Sequence, residues 1–138
     1  KADADSKLVT DYAVTSASVH DSQMLPGMMD EQDKVIYADS AYWGKTVADA
    51  LPAGVENRIQ ERGTKHITIT DEQRKNNRLK AKVRCRVEHI FGFMSGAMHG
   101  MTVRSIGIVR AEFNIGLSNL IYNLCRYEFL HRSKRTMG

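Results

Sequence analysis

The stretch TDEQRKNNRLKAKVRCRVEHIFGFM, residues 70–94, decides the fold class. Thr70 is a good helix N-cap, and Gln73 follows at the capping-box spacing, where each side chain satisfies the other's backbone amide. Leu79, Val83, Val87, Ile90, Phe91 and Met94 then fall on one helical face, and most of the basic residues lie off that stripe. The spacing predicts a helix over residues 71–94, ended by the glycine-containing stretch 96–100. Downstream, Phe113, Leu117, Leu120, Ile121 and Leu124 predict a second amphipathic helix over about residues 109–129. Arg126 lies near its C-terminal end, where a cation suits the helix dipole. Residues 131–138 are basic and are expected to form a flexible tail.

Upstream of the long helix the pattern changes to short, β-branched runs. Residues 8–17 (LVTDYAVTSA) alternate loosely and predict a strand. Asp3-Ala4-Asp5-Ser6 before them has the composition of a hairpin turn, which assigns Lys1 to a partner strand. Residues 22–29 predict a short helix that contains Pro26 and Gly27. Residues 35–38 (VIYA) predict a buried strand ending at Asp39. Residues 46–51 predict a short helix stopped by Pro52 and Gly54, and residues 57–60 a further strand. The order strand, strand, helix, strand, long helix, helix predicts an α/β fold.

The chain has 138 residues, enough for one domain. A hydrophobic fraction of 42% with 26% charged residues excludes disordered, collagenous and coiled-coil classes. No run approaches the roughly 20 apolar residues of a membrane span, and no signal-peptide pattern opens the sequence. Cys85 and Cys125 make no disulfide framework, and no Cys/His cluster has zinc spacing. The default compartment is therefore the cytoplasm. The net charge of +4 is unevenly placed. Residues 1–57 carry four Lys/Arg against ten Asp/Glu, and residues 58–138 carry sixteen against six. A concentrated basic segment suits a polyanion partner, because Lys and Arg release counterions from phosphates; the plain alternative is a solvated helix face.

Two carboxylates stand out. Asp39 directly follows a predicted interior strand, and ligands of open α/β sheets gather beyond the carboxyl ends of strands. It could hold a hard cation there, or simply cap a turn. Glu88 lies beside the apolar stripe, a lone acid among Arg84, Arg86 and His89. Arg84 is four residues earlier, so an ordinary i,i+4 ion pair is the alternative to a metal ligand.

Three segments together carry a resemblance. Ala17-Ser18-Val19-His20-Asp21-Ser22, Tyr37-Ala38-Asp39-Ser40-Ala41-Tyr42 and Arg84-Cys85-Arg86-Val87-Glu88-His89-Ile90-Phe91-Gly92 occur in this order and at a spacing similar to that of bacterial DDE-type insertion-sequence transposases, most closely the insertion-sequence five group. Val103-Arg104-Ser105-Ile106-Gly107 and Asn119-Leu120-Ile121-Tyr122-Asn123-Leu124 also resemble that group's C-terminal region. The resemblance implies a ribonuclease H-like mixed sheet with flanking helices, incomplete at its N-terminus. Residues 1–130 would be the C-terminal part of the catalytic domain and 131–138 the tail. It implies three carboxylates holding Mg²⁺, or Mn²⁺ in its place. Asp39 matches the second and Glu88 the third, with Arg84 at the family's arginine position. The family's Tyr and Lys, seven residues on either side of the Glu, are replaced by Ala81 and Ser95. No residue here matches the first aspartate; Asp3 and Asp5 fall on a hairpin turn.

The implied activity is DNA transposition, by phosphodiester cleavage and strand transfer at element ends. A chain with two of the three carboxylates is expected to be inactive alone. Arg74, Lys75, Arg78, Lys80, Lys82, Arg84 and Arg86 are candidate contacts to double-stranded DNA, with His20 beside a scissile phosphate or capping a loop. Tyr42 and Trp43 would either stack on a DNA base or pack the following helix. A homo-oligomer in the bacterial cytoplasm, associated with the nucleoid, completes the expectation. The competing readings are a non-catalytic DNA-binding or assembly remnant and a different nuclease or integrase on the same fold.

Overall fold

The computed structural model describes residues 1–98 and 106–136, with the side chains of Lys134 and Thr136 aside. Its regular elements are strand β1 (Val35–Ile36), helix α1 (Lys45–Asp49), strand β2 (Glu56–Asn57) and the long helices α2 (Asp71–Gly96) and α3 (Ile108–Thr136). The mixture is α/β, with β1 and β2 paired in parallel, Val35 opposite Glu56 and Ile36 opposite Asn57. The chain divides into two compact units, Ala17–Cys85 and Lys1–Ser16 with Arg86–Gly138.

In the Ala17–Cys85 unit the parallel pairing extends past the formal strands. The amides of Glu56, Arg58 and Gln60 donate to the carbonyls of Lys34, Ile36 and Ala38 at 2.9, 2.9 and 3.1 Å. That two-residue step is the ladder of a parallel pair. The predicted strands at 35–38 and 57–60 are thus present as one short pair, but β1 is not interior. Val35 is 37% exposed, because a two-stranded sheet leaves both of its strands at an edge. The predicted helix at 22–29 is two 3-10 turns, Asp21–Gln23 and Pro26–Met28. Pro26 has no N–H to donate, and Gly27 gives the backbone no propensity to continue. α1 closes two residues before the expected end, ahead of Pro52.

The long helix forms as expected and runs two residues further, to Gly96. Its capping box is present: the Thr70 amide donates to Gln73 Oε1 at 2.9 Å and the Gln73 amide to Thr70 Oγ1 at 3.2 Å. Asn77 ties its inner face to the chain leaving β2. Its Oδ1 accepts from the Glu61 amide and its Nδ2 donates to the Glu61 carbonyl, at 3.0 and 2.9 Å. Lys80 donates to the Ile59 carbonyl and to Glu61 Oε1 at 3.0 and 3.2 Å, with only 15% of its side chain exposed.

In the other unit, Ile90 and Met94 of α2 and Tyr122 of α3 form the buried cluster, with Ala2, Val9 and Met98 packed against it. Phe93 meets Tyr122 edge to face, ring centroids 5.7 Å apart. The hairpin turn is present, held by Asp3 Oδ1, which accepts from the Ser6 amide and hydroxyl and the Asp5 amide. The expected strand over 8–17 reduces to one antiparallel bridge, Ala2 with Val9. The reason is a side chain doing a strand's job. Asn123 of α3 accepts from the Val9 amide and donates to its carbonyl, at 2.9 and 2.8 Å. Tyr122 and Arg126 donate to the carbonyls of Lys7 and Ser6 at 2.9 and 2.7 Å.

That docking also decides which face of α3 is covered. The predicted apolar face is not buried: Phe113, Leu117, Leu120, Ile121 and Leu124 are 41–70% exposed, while the mixed face of Tyr122, Asn123 and Arg126 meets the hairpin. α3 continues beyond Phe129 to Thr136, so residues 131–136 of the expected tail are helical. In the Val103–Gly107 segment of the resemblance, residues 103–105 lie outside the described residues.

Candidate functional site

Asp39 is the residue after Ala38, whose carbonyl takes the last ladder bond from Gln60. It therefore stands at the carboxyl end of the parallel pair, as the sequence predicted. Its backbone is extended and it caps the 3-10 turn Ser40–Tyr42. Oδ1 accepts from the Ser40 hydroxyl at 3.0 Å and from the Ala41 amide at 3.3 Å. The Arg84 guanidinium approaches Oδ2 at 3.5 Å. The Ser40 hydroxyl, with the Ala41 amide and Arg84 adding to it against a smaller cost of burial, holds the Asp39 carboxyl below its usual range. Asp39 is thus an ionised carboxylate at neutral pH with 47% of its side chain open. Of the two roles weighed from the sequence, the turn cap is the one seen, and the carboxylate stands beyond the strand pair with Oδ2 toward Arg84.

The Arg84 contact was not readable from spacing, which pointed only to Glu88 four residues on. Arg84 and Asp39 are 45 positions apart, yet the inner face of α2 brings the guanidinium to the end of β1. The turn Asp21–Gln23 also packs beside the turn Ser40–Tyr42. Tyr42 feels both Asp21 and Asp39: burial first, then these two carboxylates, push its phenol above the usual range. His20 caps the first of these turns through Nδ1, which lies 2.9 Å from the Ser22 hydroxyl and accepts from the Ser22 amide at 3.4 Å. Of its two expected roles, loop capping is the one seen.

The candidate cations separate by what they touch. Lys75, Arg78 and Lys82 lie on exposed positions of α2, and Arg74 pairs loosely with Asp71 at 3.4 Å in full view of solvent. Lys80 instead turns inward to Ile59 and Glu61. Arg86 is spent on the hairpin turn, donating to the Ala4 carbonyl and lying 3.5 Å from Asp5. Lys7, absent from the predicted set, reaches His89 Nδ1 at 3.0 Å. Glu88 occupies an exposed position of α2. Among the described residues no three His, Cys, Asp or Glu side chains gather as a metal-binding group, and no helix is long and apolar enough to cross a membrane.

Fold and site together define an α/β protein with an ionised, solvent-facing carboxylate beyond its β-strands and an arginine delivered to it from a cation-rich helix. The chain belongs to the DDE transposase family: residues 1–124 match the family described as Transposase DDE domain, whose activity is DNA transposition. No solved structure matches the chain.

Proposed function

We propose that this chain is the C-terminal part of an insertion-sequence transposase catalytic domain of the insertion-sequence five group, with a ribonuclease H-like core, acting on DNA through Asp39 and Glu88. The observation that carries the reading is the meeting of Arg84 Nη1 and Asp39 Oδ2 at 3.5 Å. Two of the sequence segments that carried the resemblance, far apart in the chain, supply those two side chains. Family membership over residues 1–124 supports the same reading.

The donor chemistry suits Mg²⁺ or Mn²⁺, which favour carboxylate oxygens and waters. Asp39 offers an ionised, half-open carboxylate, and Glu88 is the second oxygen donor. Bound divalent ions would activate a water or a DNA 3′-OH and stabilise the leaving oxygen of the phosphodiester. The chain's own part is to hold Asp39 ionised and aimed through Ser40, Ala41 and Arg84. It also holds DNA phosphates with the exposed cations Arg74, Lys75, Arg78 and Lys82. Lys80, Arg84 and Arg86, engaged within the fold, contribute field more than contact, and His20 keeps its loop in shape. Paired element ends imply a homo-oligomer working in the bacterial cytoplasm at the nucleoid.

With the first aspartate unmatched, the 138-residue chain alone is expected to show little or no strand transfer; robust Mg²⁺-dependent transfer by it would overturn that point. The competing reading is a DNA-binding remnant without chemistry, and one assay separates the two. In a transposase carrying all three carboxylates, Asp39→Asn or Glu88→Gln should each lower end cleavage by roughly a hundredfold or more while leaving DNA affinity intact. Unchanged cleavage in both variants would sink the site assignment.

A further inference from the structure

Beyond the ends of β1 and β2 lies a shallow hollow of about 210 Å³ lined by Trp43, Gly44, Lys45, Ala48, Asn57 and Ile59. Its walls come from the end of the turn after β1, from α1 and from β2 with the residues that follow it. Asn57 ends β2 and Ile59 follows two residues later; Trp43 closes the turn that Asp39 caps, its amide donating to the Ser40 carbonyl at 3.1 Å. The floor is dry, since Ile59 is 1% exposed. The wall is open: Trp43 leaves 46% of its surface to solvent, unusual for the largest side chain and one normally well buried. Asn57 is fixed through Oδ1, which accepts from the Ile59 amide at 3.0 Å, so its Nδ2 is the end left to donate. Lys45 sets a cation at the rim.

An open indole, an apolar floor, one amide donor and one cation complement a flat heteroaromatic ring that carries an anion. Bases stack on aromatic side chains irrespective of sequence, and Lys neutralises the adjoining phosphate. We propose that this hollow seats one unstacked base of single-stranded DNA, on Trp43, with Asn57 donating to the base edge and Lys45 facing its phosphate. The inference rests on the reading of the chain as DNA-acting. It adds a subsite one short turn away from Asp39, where a strand displaced near the reacting phosphate would be held.

Trp43 is the chain's one tryptophan, so its emission reports on this hollow alone. The test titrates the full chain in EDTA with a ten-residue oligothymidylate and with an abasic strand of equal length and charge. Binding is followed separately by anisotropy of labelled strands. The oligothymidylate should quench Trp43 and bind roughly five- to a hundredfold more tightly than the abasic strand. Trp43→Ala should abolish that preference, and Trp43→Phe should keep most of it. Equal affinities, or binding of the oligothymidylate without a change in Trp43 emission, would overturn the proposal. Base preference that survives in Asp39→Asn,Glu88→Gln supports it independently of the metal site. Failure of the strands and of duplex DNA alike to bind would instead bring down the DNA-acting reading, and this inference with it.

Discussion

Asp39 caps a turn, and the same carboxylate is the one proposed to take a ligand. Capping a 3-10 turn needs only an oxygen, so Asn serves as well, and the negative charge adds the attraction to Arg84. The pair is half-exposed, and such pairs contribute little stability. Asp39→Asn is therefore expected to change stability by no more than about 0.5 kcal/mol at pH 7. The pH dependence has a fixed sign. The folded-state pKa is depressed, so the ionised carboxylate's contribution is fully present above about pH 4, the ordinary value, and is lost as pH falls below it. The melting-temperature difference between the parent chain and the variant should be flat from pH 8 to 5 and shrink under pH 4. A difference that grows on acidification would contradict the assigned partners. The sequence placed this residue at the end of a strand because a strand followed by Asp is a local signal. The partner Arg84 is a long-range contact, and no local spacing encodes it.

At the scale of elements, α2 was legible to within two residues because its signals are all local: a reciprocal cap at Thr70 and Gln73, then a regular apolar period. The strand expected over 8–17 failed because strands need partners, and here the Asn123 side chain takes the hydrogen bonds of Val9. α3 shows the same limit from the other side. Its period announced a helix but not which face would be covered, and the hairpin chose Tyr122, Asn123 and Arg126 over the more apolar stripe. Lys80 is the clearest case of a charge whose element-level role is hidden in composition. It joins α2 to the β2 exit by bonds to the Ile59 carbonyl and Glu61. Lys80→Ala leaves both partly buried acceptors unmet and should cost about 1–3 kcal/mol in chemical denaturation. Arg78→Ala, two residues away on an exposed position, should cost under about 0.5 kcal/mol. Equal effects would contradict the division of the helix into an inward and an outward set.

For the whole molecule, the uneven charge of the sequence is partly consumed by the fold. Of the basic residues from Arg74 to Arg86, Lys80, Arg84 and Arg86 are committed to partners inside the protein, while Arg74, Lys75, Arg78 and Lys82 face solvent. Duplex DNA affinity should therefore fall with added salt. Replacing Lys75, Arg78 and Lys82 together by Ala should flatten the slope of log K against log salt by up to about 0.9 per contact removed. An unchanged slope would move the DNA face off α2.

The central claim is that Asp39 and Glu88 are metal-holding carboxylates, and it is tested most directly by titrating the ¹⁵N-labelled chain with Mn²⁺ and following paramagnetic broadening of its amide resonances. The account predicts that the amides of Ser40 and Ala41 are the first to broaden in the Ala17–Cys85 unit, and those of Val87 and His89 the first in the other. Asp39→Asn,Glu88→Gln should abolish the effect. Broadening that begins elsewhere, or that persists undiminished in the double variant, would contradict it.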